Sequence, residues 1–197
     1  NDLDLDVYIT NAASGNKLLR NDDGVFTDVA VATGVAVNAL SWGCLWMDFH
    51  HDGRDDLHVG TQAPLVAQNV NFLFRQLPDT TFANISISTD VGNCFASAKG
   101  DLNNDGFTDI YANYGNANGY VTPSNQADIL WLSQPNNNHW IGFDLEGVIS
   151  NRNAVGALVE IHGAFGTQIR EVRSGVSYGI TNSNMLLFGI GANTSID

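Results

Sequence analysis

One nine-residue pattern occurs twice in full along the chain, and it limits the possible folds more than any other feature. The copies lie in DFHHDGRDDL from Asp48 and DLNNDGFTDI from Asp101. Both read Asp at position 1, a polar ligand type at position 3 (His50, Asn103), Asp at 5 (Asp52, Asp105), Gly at 6 (Gly53, Gly106) and Asp at 9 (Asp56, Asp109). Each copy runs directly into a β-like segment, LHVGT or IYANY. The amino-terminal NDLDLDVYITN fits the same frame if Asp2, Asp4 and Asp6 hold positions 5, 7 and 9, although Leu3 then stands where the others have Gly.

A second similarity lies between the loops. NKLLRNDDGVFTDVAVATGV from Asn16 resembles NFLFRQLPDTTFANISISTDVG from Asn71, with Leu18, Leu19 and Arg20 matching Leu73, Phe74 and Arg75. DILWLSQ from Asp128 is a shortened third version. The unit is about 50 to 55 residues, one loop and about four short strands, which suits a propeller blade that buries its faces only against neighbouring blades. The expected fold is therefore all-β: a partial β-propeller over residues 1–136, then a small β-module over 137–197, where alternating segments such as WIGFDLEG and ALVEIHG contain no acidic loop.

Composition supports this division. The 197 residues carry 18 Asp and 23 Asn but only 3 Glu and 2 Lys. Asp and Asn favour turns and supply short oxygen ligands, whereas solvated helix faces use Glu and Lys, so helices should be scarce. A formal charge of −13 leaves no basic stripe for nucleic acid and makes cations the natural partner. No apolar run is long enough to cross a bilayer as a helix. Cys44 and Cys94 fit neither a zinc motif nor a CxxC pair and are expected as buried free thiols.

The loop chemistry points to Ca²⁺. Alternate positions of a tight loop point inward, and Gly at position 6 permits the bend. In the second loop Asp101, Asn103, Asp105 and Asp109 would supply side-chain oxygens and Phe107 its carbonyl, a hard-oxygen set. An EF-hand would need a bidentate Glu at position 12, where Val59 and Ala112 stand. In the first loop Asp48, Asp52 and Asp56 are accompanied by His50, a poor calcium ligand, so its affinity should be lower. Arg54 is expected to offer its carbonyl and turn its charge outward. A transition-metal site built on His50, His51 and His58 is the weaker alternative.

On these motifs residues 1–136 resemble FG-GAP/VCBS repeats, the Ca²⁺-loop blades of integrin-like propellers. The tail resembles the ASPIC/UnbV domain of the cartilage acidic protein family, through His139-Trp140, Leu145 with Gly147, SNRNAVGA from Ser150, IREVRSG from Ile169 and LLFGIG from Leu186. The resemblance implies an extracellular or cell-surface protein, periplasmic in a bacterium. It would be non-catalytic and used for adhesion or interaction with a protein or glycan. Other copies, or the rest of a longer chain, would complete the ring.

The rival reading is a polysaccharide lyase or hydrolase, with His139, His162, Glu146, Glu160, Glu171, Tyr178 and Arg170 as candidate groups. None of them has diagnostic spacing. A subunit of a surface filament is the third reading. Of the aromatic residues that could meet sugars, Trp42, Trp46 and Trp131 lie in strand-like runs and are expected in inter-blade cores.

Overall fold

A computed structural model describes residues 3–12, 14–62, 71–86, 92–115 and 127–197. Asp2 falls outside these residues. The chain is all-β, as expected, in several small antiparallel sheets, none of them closed on itself. Its helical content among the described residues is the single turn α1 (Ala30–Thr33), ended by Gly34 in the left-handed region.

The first sheet has the order β1 (Val7–Ile9), β2 (Lys17–Asp22), β3 (Val25–Asp28). The second is β4 (Leu40–Met47), β5 (Asp56–Gln62), β6 (Phe72–Gln76), β7 (Phe82–Asn84). The third is β8 (Asn93–Gly100), β9 (Asp109–Gly115), β10 (Ile129–Trp131). Each acidic loop joins two adjacent strands, β4 to β5 and β8 to β9.

The repeat extends to the irregularities of the sheets. Cys44 pairs with Val59 and Ser41 with Thr61; 53 positions later Ser97 pairs with Ala112 and Cys94 with Tyr114. A register shift falls inside both spans, between Ser41 and Cys44 and between Cys94 and Ala96. A bulge bends its strand and increases local twist, so the same bulge gives the two inner strands the same curvature.

Alternation sets the packing. Along β4 one residue in two is buried, and the two faces enter different cores. Trp46 and Cys44 pack with Tyr8, Leu18, Leu57, Val59, Phe74 and Phe82 between the first and second sheets. Leu45 and Met47 pack with Cys94, Ile110, Ala112 and Tyr114 between the second and third, with Trp131 beside them. Each of these large side chains contributes roughly 1.5–3 kcal/mol by leaving water. Trp46 and Trp131 are thus core residues, whereas Trp42 packs at a tilt against Phe95 and Tyr178 and donates Nε1–H to Gln62 Oε1 at 2.8 Å. Both cysteines are free, Cys94 buried and Cys44 only partly so.

The remaining strands pair as β11 (His139–Phe143) with β14 (Leu186–Gly191) and β12 (Leu158–Gly163) with β13 (Gly166–Glu171). They enclose a separate core of Ile161, Val172, Leu186, Phe188 and Ile190.

Candidate metal centre

The two full acidic loops share one backbone conformation. Position 4 is left-handed in both (His51 φ 57°, Asn104 φ 58°), and so is position 6 (Gly53 φ 84°, Gly106 φ 86°). Two left-handed residues so close together need small or polar side chains, which is the local reason for Gly at position 6.

The position 1 carboxylate is the hub of each loop. Asp48 accepts the N–H groups of Asp52 (3.1 Å) and Gly53 (2.8 Å), and Asp101 accepts those of Asp105 (3.1 Å) and Gly106 (2.9 Å). Position 5 accepts from position 7: Arg54 donates to Asp52 at 3.2 Å and Phe107 to Asp105 at 2.8 Å. Position 9 ties the loop to the third strand of its sheet. Asp56 accepts from Phe49 and Gln76 (3.3 and 2.8 Å), and Asp109 from Leu102 and Ser133 (2.9 Å each).

The amino-terminal copy keeps part of this pattern. Leu3, in the frame of position 6, has φ 75°, and Asp6 accepts the N–H of Asn21 at 2.8 Å as Asp56 does that of Gln76. Asp4 accepts the N–H of Asp23 at 2.8 Å. Its Asp2 lies outside the described residues.

The two full loops differ in what compensates their charge. In the second, Asn103 Nδ2 donates to Asp105 at 2.8 Å, and no cationic side chain pairs with Asp101, Asp105 or Asp109 among the described residues. A carboxylate oxygen that accepts one N–H retains a second lone pair, so this all-oxygen set fits a hard cation. In the first, Asp52 Oδ2 is held by Arg54 Nη2 (2.5 Å) and Arg75 Nη2 (3.2 Å), while His50 Nδ1 lies 3.5 Å from Asp56. Arg54 therefore turns its charge inward, contrary to the sequence expectation, because the half-buried Asp52 carboxylate attracts it, as it also attracts Arg75 on β6. Guanidinium groups already supply positive charge there, so the first loop fits a metal less well.

Among the described residues no three His, Cys, Asp or Glu side chains converge as a preformed metal cage. The carboxylates are turned toward their own loop N–H groups, and the set includes an amide and a carbonyl oxygen besides.

The carboxy-terminal strands sit on both loops. His51 O accepts the Gly191 N–H at 2.9 Å, and His50 O accepts Asn136 and Asn138 side-chain N–H groups at 2.9 and 2.8 Å. Arg170 pairs with Asp55 at 2.8 Å and lies 5.4 Å over the Phe188 ring. His51, 1% exposed, stacks on Phe107 of the second loop with centroids 4.3 Å apart, and Trp140 meets it edge-on. Neither His51 ring nitrogen has a hydrogen-bond partner among the described residues.

These placements shift the titrations. Burial, with the charges of Asp55, Asp52 and Asp56 adding to it, pushes Asp48 up to about 7 against the pull of the Gly53 N–H. Burial also raises Asp56. His51 is lowered by burial to about 4, opposed by the charges of Asp105 and Asp101. The loop region thus disfavours charge of either sign on its most enclosed groups.

The sequence reading left out Asp55, Arg75 and Lys99. Asp55 was visible as an extra acid inside the first loop, and Arg75 as the residue matching Arg20 in the second similarity. Of the candidate catalytic groups, Glu160 and His162 meet on β12 at 3.2 Å, while Glu146 pairs with Arg152 and Glu171 with Arg173.

Residues 147–197 match the family described as ASPIC and UnbV. This segment of about a quarter of the chain covers β12 to β14, the strands that supply Arg170 and Gly191 to the loop contacts. No curated protein matches the chain. The matched segment therefore supplies part of the surface that packs on the acidic loops, together with Asn136, Asn138 and Trp140, which precede it.

Proposed function

We propose that the chain is a Ca²⁺-stabilised scaffold of the cell surface or extracellular space, which binds a protein or glycan partner without chemistry. Residues 1–136 would be FG-GAP/VCBS blades of a β-propeller. One observation carries the reading: Asp48 and Asp101 accept the same pair of loop N–H groups, from positions 5 and 6, and the second loop offers only oxygen ligands. Asp101, Asn103, Asp105, Asp109 and the Phe107 carbonyl would hold the ion; Asp48, His50, Asp52, Asp56 and the Arg54 carbonyl would form a weaker site, and Asp2, Asp4 and Asp6 belong to a third loop. The ion would supply positive charge and fix the loop. A neighbouring blade, from a longer chain or another copy, would cover β1, on which Val7 and Ile9 are exposed.

The test is thermal unfolding during calcium addition to chelated protein. A ligand specific to the folded state at a hundred times its Kd stabilises by about 2.7 kcal/mol, a rise of roughly 5–10 °C for a chain of this size. Asp101→Ala with Asp105→Ala should remove most of that rise; a melting curve indifferent to calcium would overturn the assignment.

A further inference from the structure

Asp105, Gly106 and Phe107 belong to two structures at once. In the second acidic loop Asp105 and Phe107 are ligand positions, through a carboxylate and a carbonyl, and Gly106 between them makes the left-handed bend. The same residues seat the carboxy-terminal strands. The Trp140 indole of β11 fills the space that a side chain on Gly106 would take. The Phe107 ring, 4% exposed, stacks on His51 at 4.3 Å with the planes 12° apart, and Trp140 meets His51 edge-on at 6.2 Å. His51 in turn holds β14. Its carbonyl accepts the Gly191 N–H at 2.9 Å, and a Cβ on Gly189 would lie 2.3 Å from His51 Cα.

This seat rests on like charges. Asp101, Asp105 and Asp109 share nine residues of chain and have no cationic side-chain partner among the described residues. Their mutual repulsion works against the tight bend at Asn104 and Gly106 that places Trp140 and Phe107. The first loop lacks this weakness, because Arg54 and Arg75 hold Asp52. A cation in the second loop would remove the repulsion and fix both the Asp105 side chain and the Phe107 carbonyl, and with them the surface under Trp140 and His51.

We propose that cation occupancy of the second loop regulates how firmly the carboxy-terminal strands are seated: the occupied loop docks β11 and β14, and the empty loop lets them lift from Gly106 and His51. The proposal rests on the calcium reading above and adds a direction of control to it. The element with two states is the seat itself, whose equilibrium is biased from the loop side by the cation and from the strand side by Trp140. Coupling of this kind is reciprocal, so loss of the Trp140 contact weakens calcium binding in turn.

Hydrogen exchange at the Gly191 N–H reports the seat directly, since its acceptor, His51 O, lies outside the carboxy-terminal strands. In the full chain with calcium this amide should exchange at least about fivefold more slowly than in chelator. Amides of the β12–β13 hairpin, which pairs within itself, should keep their rates. Trp140→Ala, at a residue 40% exposed, should weaken calcium binding by at least about fivefold in calorimetry. The exchange measurement uses the unaltered chain, so it decides the matter even where that variant fails to fold. A calcium-dependent rise in melting temperature with an unchanged Gly191 rate, or with equal slowing in the hairpin, would overturn the coupling and leave the calcium site standing. So would a folded Trp140→Ala protein of undiminished affinity. No calcium response in either melting or exchange would overturn both readings.

Discussion

The Trp140 indole lies across Gly106 so closely that a Cβ on Gly106 would sit 1.9 Å from Trp140 Cζ2. The bend of the second acidic loop is therefore also the seat of β11. Gly106→Ala combines a left-handed backbone at φ 86° with a collision against an aromatic ring. It should cost about 2–5 kcal/mol in urea unfolding, the sum of a left-handed Ala and an overpacked contact. Gly156→Ala, at φ 91° with nothing within 4 Å, should show only the backbone part, about 1–2 kcal/mol. Equal costs at the two positions would mean that Trp140 yields freely.

The same contact offers a direct view of metal binding. Terbium, a calcium substitute with oxygen preference, should bind the second loop and be sensitised by the adjacent Trp140. Asp101→Ala should abolish the luminescence, while Asp48→Ala should leave most of it, because the first loop already holds Arg54 and Arg75 on Asp52. Loss of signal in both variants to the same extent would contradict the ranking of the two loops.

The loops were readable because their chemistry is local: nine consecutive residues fix the left-handed positions, the Asp hub and the oxygen set. The inner-strand cores were readable from alternation and repeat. Two things were not. Arg54 turns inward onto Asp52, whose carboxylate also holds Arg75 from another strand, and His51 is enclosed by Phe107 and Trp140, which come from the second loop and from β11. Leu3 was marked as a departure from Gly, yet it adopts the left-handed conformation regardless, since the frame around it sets the backbone.

Asp55 and Arg170 link the first loop to β13 at 2.8 Å, with the guanidinium also over Phe188. Asp55→Asn should destabilise by about 1 kcal/mol, as a partly exposed pair allows, and Arg170→Gln by more, because it also loses the ring contact. A double-mutant cycle in urea should return a coupling of about 0.5–1 kcal/mol. Zero coupling would show that the ion pair does not contribute to holding the segment on the loop.

Acid stability should distinguish the calcium-loaded from the calcium-free protein. His51 folded at about 4 against 6.5 unfolded means that the unfolded chain binds the extra proton between those values. Its contribution is present above pH 6.5 and is lost as pH falls toward 4. Asp48, raised from 3.8 to about 7, does the reverse: the folded chain binds the extra proton, so its contribution is present in acid and is lost as pH rises toward 7. The two shifts correspond to roughly 3–4 kcal/mol each and oppose one another between about pH 4 and 6.5. Chelated protein should therefore show a nearly flat stability across that range. Calcium would hold Asp48 ionised and remove its share, leaving the His51 slope, so the loaded protein should lose stability steadily from pH 6.5 to 4. Urea midpoints across this range, with and without calcium, check the sign; parallel profiles would show that Asp48 does not take part in binding the ion.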